Sequence, residues 1–250
     1  MKRSTGIALA IAGWLLAVAA IAVAVTLAGA LRNTFADARR EAAIERPPGP
    51  SALPADPAAL DPGERRILVL GDSRVRRWEP APEIAGARVL LRGVGGETTR
   101  ALRARAAAEI AAARPAVVVV AAGINDVVAA GLSPRLEAVL VDAAVANVAA
   151  IARDARAAGA AAVVLTMPRP AAPDPVRRLL VWSDRIPPLA ARANAGLRAL
   201  ASEPGVRVVD ADAALAGDSP LLPARYAVDA LHFSPAAYAA LNDLLRSELE

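Results

Sequence analysis

From about residue 64 onward the chain alternates two hydrophobic rhythms. Residues 67–70, 87–91, 116–120, 161–165 and 206–209 are short apolar runs, mostly β-branched or leucine. Between them lie alanine- and arginine-rich stretches with helical spacing, notably 98–113, 136–158 and 189–202. Short continuous apolar strands separated by helices imply βαβ units and a parallel sheet buried on both faces. A last helix is predicted over 235–249, with Leu241, Leu244 and Leu245 on one side. The expected fold is therefore α/β, a three-layer α/β/α sandwich around a five-stranded parallel sheet.

The N-terminal pattern is different. After Lys2 and Arg3, residues 4–31 carry no charge and are almost wholly apolar. Roughly 20 helical residues span a hydrocarbon core, so this run is long enough for a transmembrane helix. Ala28-Gly29-Ala30 fits a small-x-small cleavage site, so secretion after signal cleavage is the competing reading. A signal h-region is usually only about 7–15 residues, and the greater length favours an uncleaved anchor. Basic residues flank the run on both sides, so charge does not orient it. An outward-facing, extracytoplasmic domain is expected only because an N-terminal anchor on a small domain usually serves export. Residues 32–46 read as a short juxtamembrane helix, and the prolines from Pro47 to Pro62 as an extended linker. The expected organisation is thus 1–31 cytoplasmic start and anchor, 32–63 juxtamembrane helix and linker, and 64–250 the folded domain.

Composition removes several functions. The chain has 250 residues and no cysteine, which excludes disulfides, thiolate metal sites and a cysteine nucleophile. Its single histidine, His232, rules out a multi-histidine zinc site, and no metal or cofactor is expected. The pI near 10.5 suggests nucleic acid, yet the net charge is only +4. Acidic and basic residues alternate without an aromatic-studded basic stripe, so no nucleic-acid partner is expected.

In open parallel sheets, ligands bind beyond the carboxyl ends of the strands. Four polar clusters fall at that rim: Gly71-Asp72-Ser73, Gly93-Val94-Gly95-Gly96-Glu97-Thr98-Thr99, Gly123-Ile124-Asn125-Asp126, and Asp229-Ala230-Leu231-His232. Each has an ordinary reading. Asp72 or Ser73 could cap a helix, Gly93–Gly96 could be a tight turn or anion nest, and a helix cap is the favoured role for Asp126. A lone histidine is more often a surface or core residue than a base. Four such coincidences in order are what point to chemistry.

In these four blocks the chain resembles the SGNH (GDSL) hydrolases, and the resemblance covers the domain from about residue 64. The string Gly93–Thr99 is similar to the branch of platelet-activating-factor acetylhydrolase subunits and lysophospholipase-like esterases. The resemblance implies a flavodoxin-like sheet and an ester hydrolase with Ser73 as nucleophile, His232 as base and Asp229 as its orienting acid. It also implies an oxyanion hole from the Ser73 amide, Gly96 and Asn125. Arg74 replaces the leucine of the GDSL string and Glu97 a common aspartate; neither is a catalytic position, so the departures bear on substrate preference rather than on chemistry.

Elementary chemistry agrees with these roles. A serine hydroxyl needs an adjacent base near neutral pH, and histidine, with an ordinary pKa near 6.5, can take and return that proton. Asp229, three residues before His232, can reach the ring across a turn.

Residues 167–188 follow the fourth strand and should overhang the substrate rim. Leu179, Leu180, Val181 and Trp182 could form an apolar lid or acyl pocket, with Arg177 and Arg178 meeting an anionic group. The same segment could equally be a proline-stiffened surface loop. Trp78 reads as core. The expected substrate is a small-molecule, lipid or glycan ester. An acyltransferase using the same triad, a non-catalytic anchored module and a nucleotide binder are the alternatives. The P-loop form of the last fails, because Lys2 is the only lysine.

Overall fold

Strand positions 67–70 send alternate side chains to opposite faces, and both faces are apolar. In the computed structural model, which describes residues 2–45 and 63–250, Leu68 and Leu70 join one core and Ile67 and Val69 the other. Val118 and Val120 against Val117 and Val119 repeat the division one strand over. Period-two alternation within an all-apolar strand is how a sheet is buried on both sides.

The strands are β1 (Arg65–Gly71), β2 (Ala87–Gly93), β3 (Val117–Ala121), β4 (Ala161–Leu165) and β5 (Val206–Val209). All neighbours pair in parallel, in the order β2-β1-β3-β4-β5. The chain reverses direction across the sheet between β1 and β3, which makes that point the crevice for a ligand. The expected three-layer sandwich is therefore the observed fold. One core packs under α3 (Thr99–Ala113) and α5 (Glu137–Ala157); the other lies under α8 (Ala211–Ala216) and α9 (Pro235–Leu249). The turn helix α2 (Ser73–Arg76) follows β1, α6 (Pro175–Leu180) lies in the segment after β4, and α7 (Ile186–Ala199) runs beside α5.

Helix α4 (Ile124–Leu132) was not predicted. It is only nine residues long, and residues 124–131 are buried, Asn125 and Asp126 included, so its polar residues do not mark a solvent face. It packs against α5, α7 and the N-terminal helix.

That N-terminal helix, α1 (Lys2–Ile44), is continuous, where a separate juxtamembrane helix was expected. Its portion Ile11–Ile44 is long and apolar enough to cross a membrane, with a mean hydropathy of 2.4 over its most apolar stretch. Side chains 11–27 are exposed on every side. Beyond them the helix becomes sided: Ala28, Arg32, Phe35, Arg39 and Ala43 lose exposure at spacings of three and four, facing α4, α6 and α3. Ala43 is buried in the same cluster as Ile124, Val127 and Trp182. The proline-rich stretch read as a linker lies outside the described residues.

Candidate active site

Asp72 is the N-cap of α2, its carboxylate accepting from the Arg74 amide at 2.9 Å. Ser73 is thus the first residue of a helix, where the backbone amide has no helical acceptor and points outward from the strand end. Glycine allows this turn to sit tightly. A Cβ on Gly71 would lie 2.3 Å from the Ala121 carbonyl oxygen, and one on Gly93 would lie 2.0 Å from the Arg76 nitrogen.

The loop before α9 supplies the partner. The Asp229 carboxylate accepts from the amides of Leu231 (2.7 Å) and His232 (3.0 Å), and its other oxygen lies 2.7 Å from His232 Nδ1. His232 Nε2 is 3.1 Å from Ser73 Oγ. Burial pushes the Asp229 carboxyl up, but the bonds from the His232 ring and the two amides outweigh it and hold it down at about 2. Near neutral pH it is an acceptor only, so the neutral ring carries its proton on Nδ1. Nε2 is then the acceptor, and the Ser73 hydroxyl donates to it. The arrangement can draw a proton from the serine and return it to a leaving group.

On the other side, Val94 to Glu97 form a turn closed by the Glu97 amide on the Val94 carbonyl (3.3 Å), with Gly96 at φ +71°. The Val94 amide bonds the Gly71 carbonyl at 3.1 Å, joining this turn to the serine turn. Asn125 lies at the start of α4, buried, and its Nδ2 donates to the Glu97 carbonyl at 2.9 Å. All four sequence clusters meet at one end of the sheet.

Three buried charged or polar groups brace this site. Arg74 donates to the carbonyls of Leu231 and Pro168, each at 2.8 Å, and stacks over Phe233 at 4.4 Å, tying the serine turn to the histidine loop. Glu97 is 2% exposed and binds Arg105 Nη2 at 2.6 Å; Arg105 also reaches Glu109 at 3.3 Å. Asp126 accepts from the amide and hydroxyl of Thr99, so it caps α3 rather than its own helix. The expectation that Arg74 and Glu97 bear on substrate preference is corrected here, because both face inward and hold loops.

Trp182 also turns inward. It is 3% exposed and packs with Val128, Met167, Ile186 and Ala43, so it supplies core packing rather than an apolar lid. Arg177 and Arg178 lie on α6, paired with Asp174 (4.0 Å) and Asp184 (3.1 Å). Trp78 is buried, as expected.

Two buried carboxyls set a pH dependence of stability. Burial raises Asp72 to about 6, partly offset by the Arg74 charge, and raises Asp126 to about 7 despite its bonds from Thr99. Between the ordinary value of 3.8 and these values the folded state binds more protons than the unfolded one, so stability falls as pH rises through that window. The depressed Asp229 and Asp210 act only below it. The melting temperature should therefore be higher at pH 5 than at pH 8, with a shallower slope in Asp126→Asn. Equal slopes in thermal melts of the two proteins would show that Asp126 does not titrate there.

At the sheet's switch point a serine turn thus faces a histidine carried before the last helix. Residues 68–240 match the family model of the GDSL-like Lipase/Acylhydrolase family, and the chain belongs to that family. It is a carboxylic ester hydrolase. Among solved structures, it is similar to a GDSL-like lipase from Bacteroides thetaiotaomicron (24% identity, 86% of this chain and 97% of that one, TM-score 0.58). A putative platelet activating factor protein from Streptococcus pneumonia matches at 19% identity over 93% of this chain and 99% of that one, with a TM-score of 0.55. Axe2, an acetylxylan esterase from Geobacillus stearothermophilus, matches at 22% identity over 74% and 93%, with a TM-score of 0.54. No curated protein matches the chain.

Proposed function

We propose that this enzyme cleaves carboxylic esters through an acyl-serine intermediate on Ser73, at the surface of a membrane that α1 anchors it to. The observation that carries the mechanism is the hydrogen-bonded series from Ser73 Oγ to His232 Nε2 and from Nδ1 to Asp229. As Ser73 Oγ bonds to the ester carbon, its proton passes to His232 Nε2 and the carbonyl electrons move onto oxygen. The amides of Ser73 and Gly96 and the side chain of Asn125 receive that negative charge. Collapse breaks the ester C–O bond, and the imidazolium gives its proton to the departing alkoxide. Water then repeats the sequence on the acyl-serine, with His232 as base again, and frees the acid.

The position of the site supports a substrate at the membrane. Arg39, which touches Asn125, lies only eight residues past Leu31, about 12 Å along a helix axis from the end of the apolar run. Helix α6 is adjacent, its Leu179 carbonyl accepting from Arg32 at 3.3 Å, with Val176 and Leu179 exposed. Arg177 and Arg178 would there meet anionic headgroups, and the domain would face outward. Acyl groups on lipids or on surface glycans, such as acetyl esters, fit this placement.

A fluorophosphonate probe tests the mechanism, since it phosphonylates only an activated serine. Full-length protein in detergent micelles should become labelled at Ser73, as read by peptide mass spectrometry. Folded protein that stays unlabelled at that serine would overturn the acyl-serine route.

A further inference from the structure

The end of α1 does more than lie beside the site. Arg39 Nη1 donates to the Oδ1 of Asn125 at 3.1 Å, across 86 positions of sequence. The same carboxamide gives one Nδ2 hydrogen to the Glu97 carbonyl at 2.9 Å. A carboxamide has one acceptor oxygen and two N–H donors, and a guanidinium only donates. With Oδ1 held by Arg39, a flip of the amide would set N–H against N–H and would also lose the bond to Glu97. The second Nδ2 hydrogen is left to the remaining direction, which the function proposed above assigns to the substrate oxygen. The cation also draws electron density toward Oδ1 and makes Nδ2 a stronger donor.

Arg39 is itself held. Its guanidinium stacks over Phe35 at 5.0 Å, one turn back on the same helix, and Ala43, one turn on, is buried against α4. Asn125 opens α4, so the helix that presents the amide is also the one on which α1 docks.

We infer that Arg39, carried by the sided end of α1, is a positioning residue for the Asn125 amide, so that the membrane helix itself completes the oxyanion-binding site. The inference rests on the reading of Asn125 as an oxyanion donor. It makes catalytic competence depend on docking of the anchor: a domain released from α1 would keep Ser73, His232 and Asp229 but lose control of one donor.

The test is a double-mutant cycle on the full chain in detergent micelles, with kcat and KM for p-nitrophenyl acetate and melting temperature as readouts. Arg39→Gln should lower kcat about tenfold with KM nearly unchanged, and Arg39→Lys, which keeps the charge, should restore part of it. Asn125→Ala should lower kcat by about 100-fold or more. In the Asn125→Ala background, Arg39→Gln should have no further effect on kcat, because its target is gone. A purely structural role would instead multiply the two losses. Full multiplication, or unchanged kcat in Arg39→Gln while Asn125→Ala is impaired, overturns the role of Arg39. Unimpaired Asn125→Ala overturns the oxyanion reading itself.

Discussion

Replacing Ser73 with alanine is expected to lower kcat for a p-nitrophenyl ester by roughly 10⁴-fold or more, and His232→Ala by a comparable factor. In the proposed mechanism the two hydrogen-bonded groups act on one proton: without the hydroxyl there is nothing for the imidazole to deprotonate, and without the imidazole the hydroxyl stays protonated. The combined variant should therefore be little slower than either single one. Steady-state kinetics on the three proteins, with melting temperatures within a few degrees of the parent, would establish this. Losses that multiply, or a Ser73→Ala protein retaining more than about a hundredth of the rate, would mean that the nucleophile lies elsewhere.

Replacing Arg105 with methionine should have the largest effect on the fold. Its guanidinium lies between Glu97 and Glu109, whose side chains are 2% and 1% exposed. Removing the cation leaves two buried carboxylates stripped of the charge they share, a loss of about 3–5 kcal/mol. For a domain of this size that corresponds to a fall in melting temperature of about 10 °C. Adding Glu97→Gln should recover part of the loss, since Glu109 still has the Arg92 guanidinium at 3.7 Å. A melting temperature within about 2 °C of the parent in Arg105→Met would remove the network's claim to hold this loop. Because the Glu97 carbonyl holds Asn125, activity should fail before the domain unfolds.

Much of the framework was legible from hydrophobic period alone. The β4 and β5 runs and the last helix coincide with the observed elements to the residue, and β1, β2 and β3 are displaced by two residues at most. Strands buried on both faces are continuous apolar runs, and that signal is strong. Helix α4 was illegible because it is short and buries its polar residues, Asn125 and Asp126, along with its apolar ones. The four polar clusters were legible because a parallel sheet brings all strand exits to one rim.

Charged residues were the hard part. Arg74 and Glu97 stood out only as departures within their motifs and Arg105 not at all, and burial is decided by which elements close over them. Arg39 was read as part of a juxtamembrane helix, and the distance in sequence to Asn125 gave no hint of contact. Trp182 looked like part of a lid because it ends an apolar run in the segment that follows the fourth strand, yet the indole folds into the core.

By itself, then, the amino-acid sequence determined the sheet, its rim and the residue types gathered there, since hydrophobic period and chain order dictate them locally. Which charges are buried, how the Asn125 amide is oriented, and that the N-terminal helix reaches the site were settled only by tertiary structure. Those outcomes depend on contacts between segments far apart along the chain, and no local pattern encodes them.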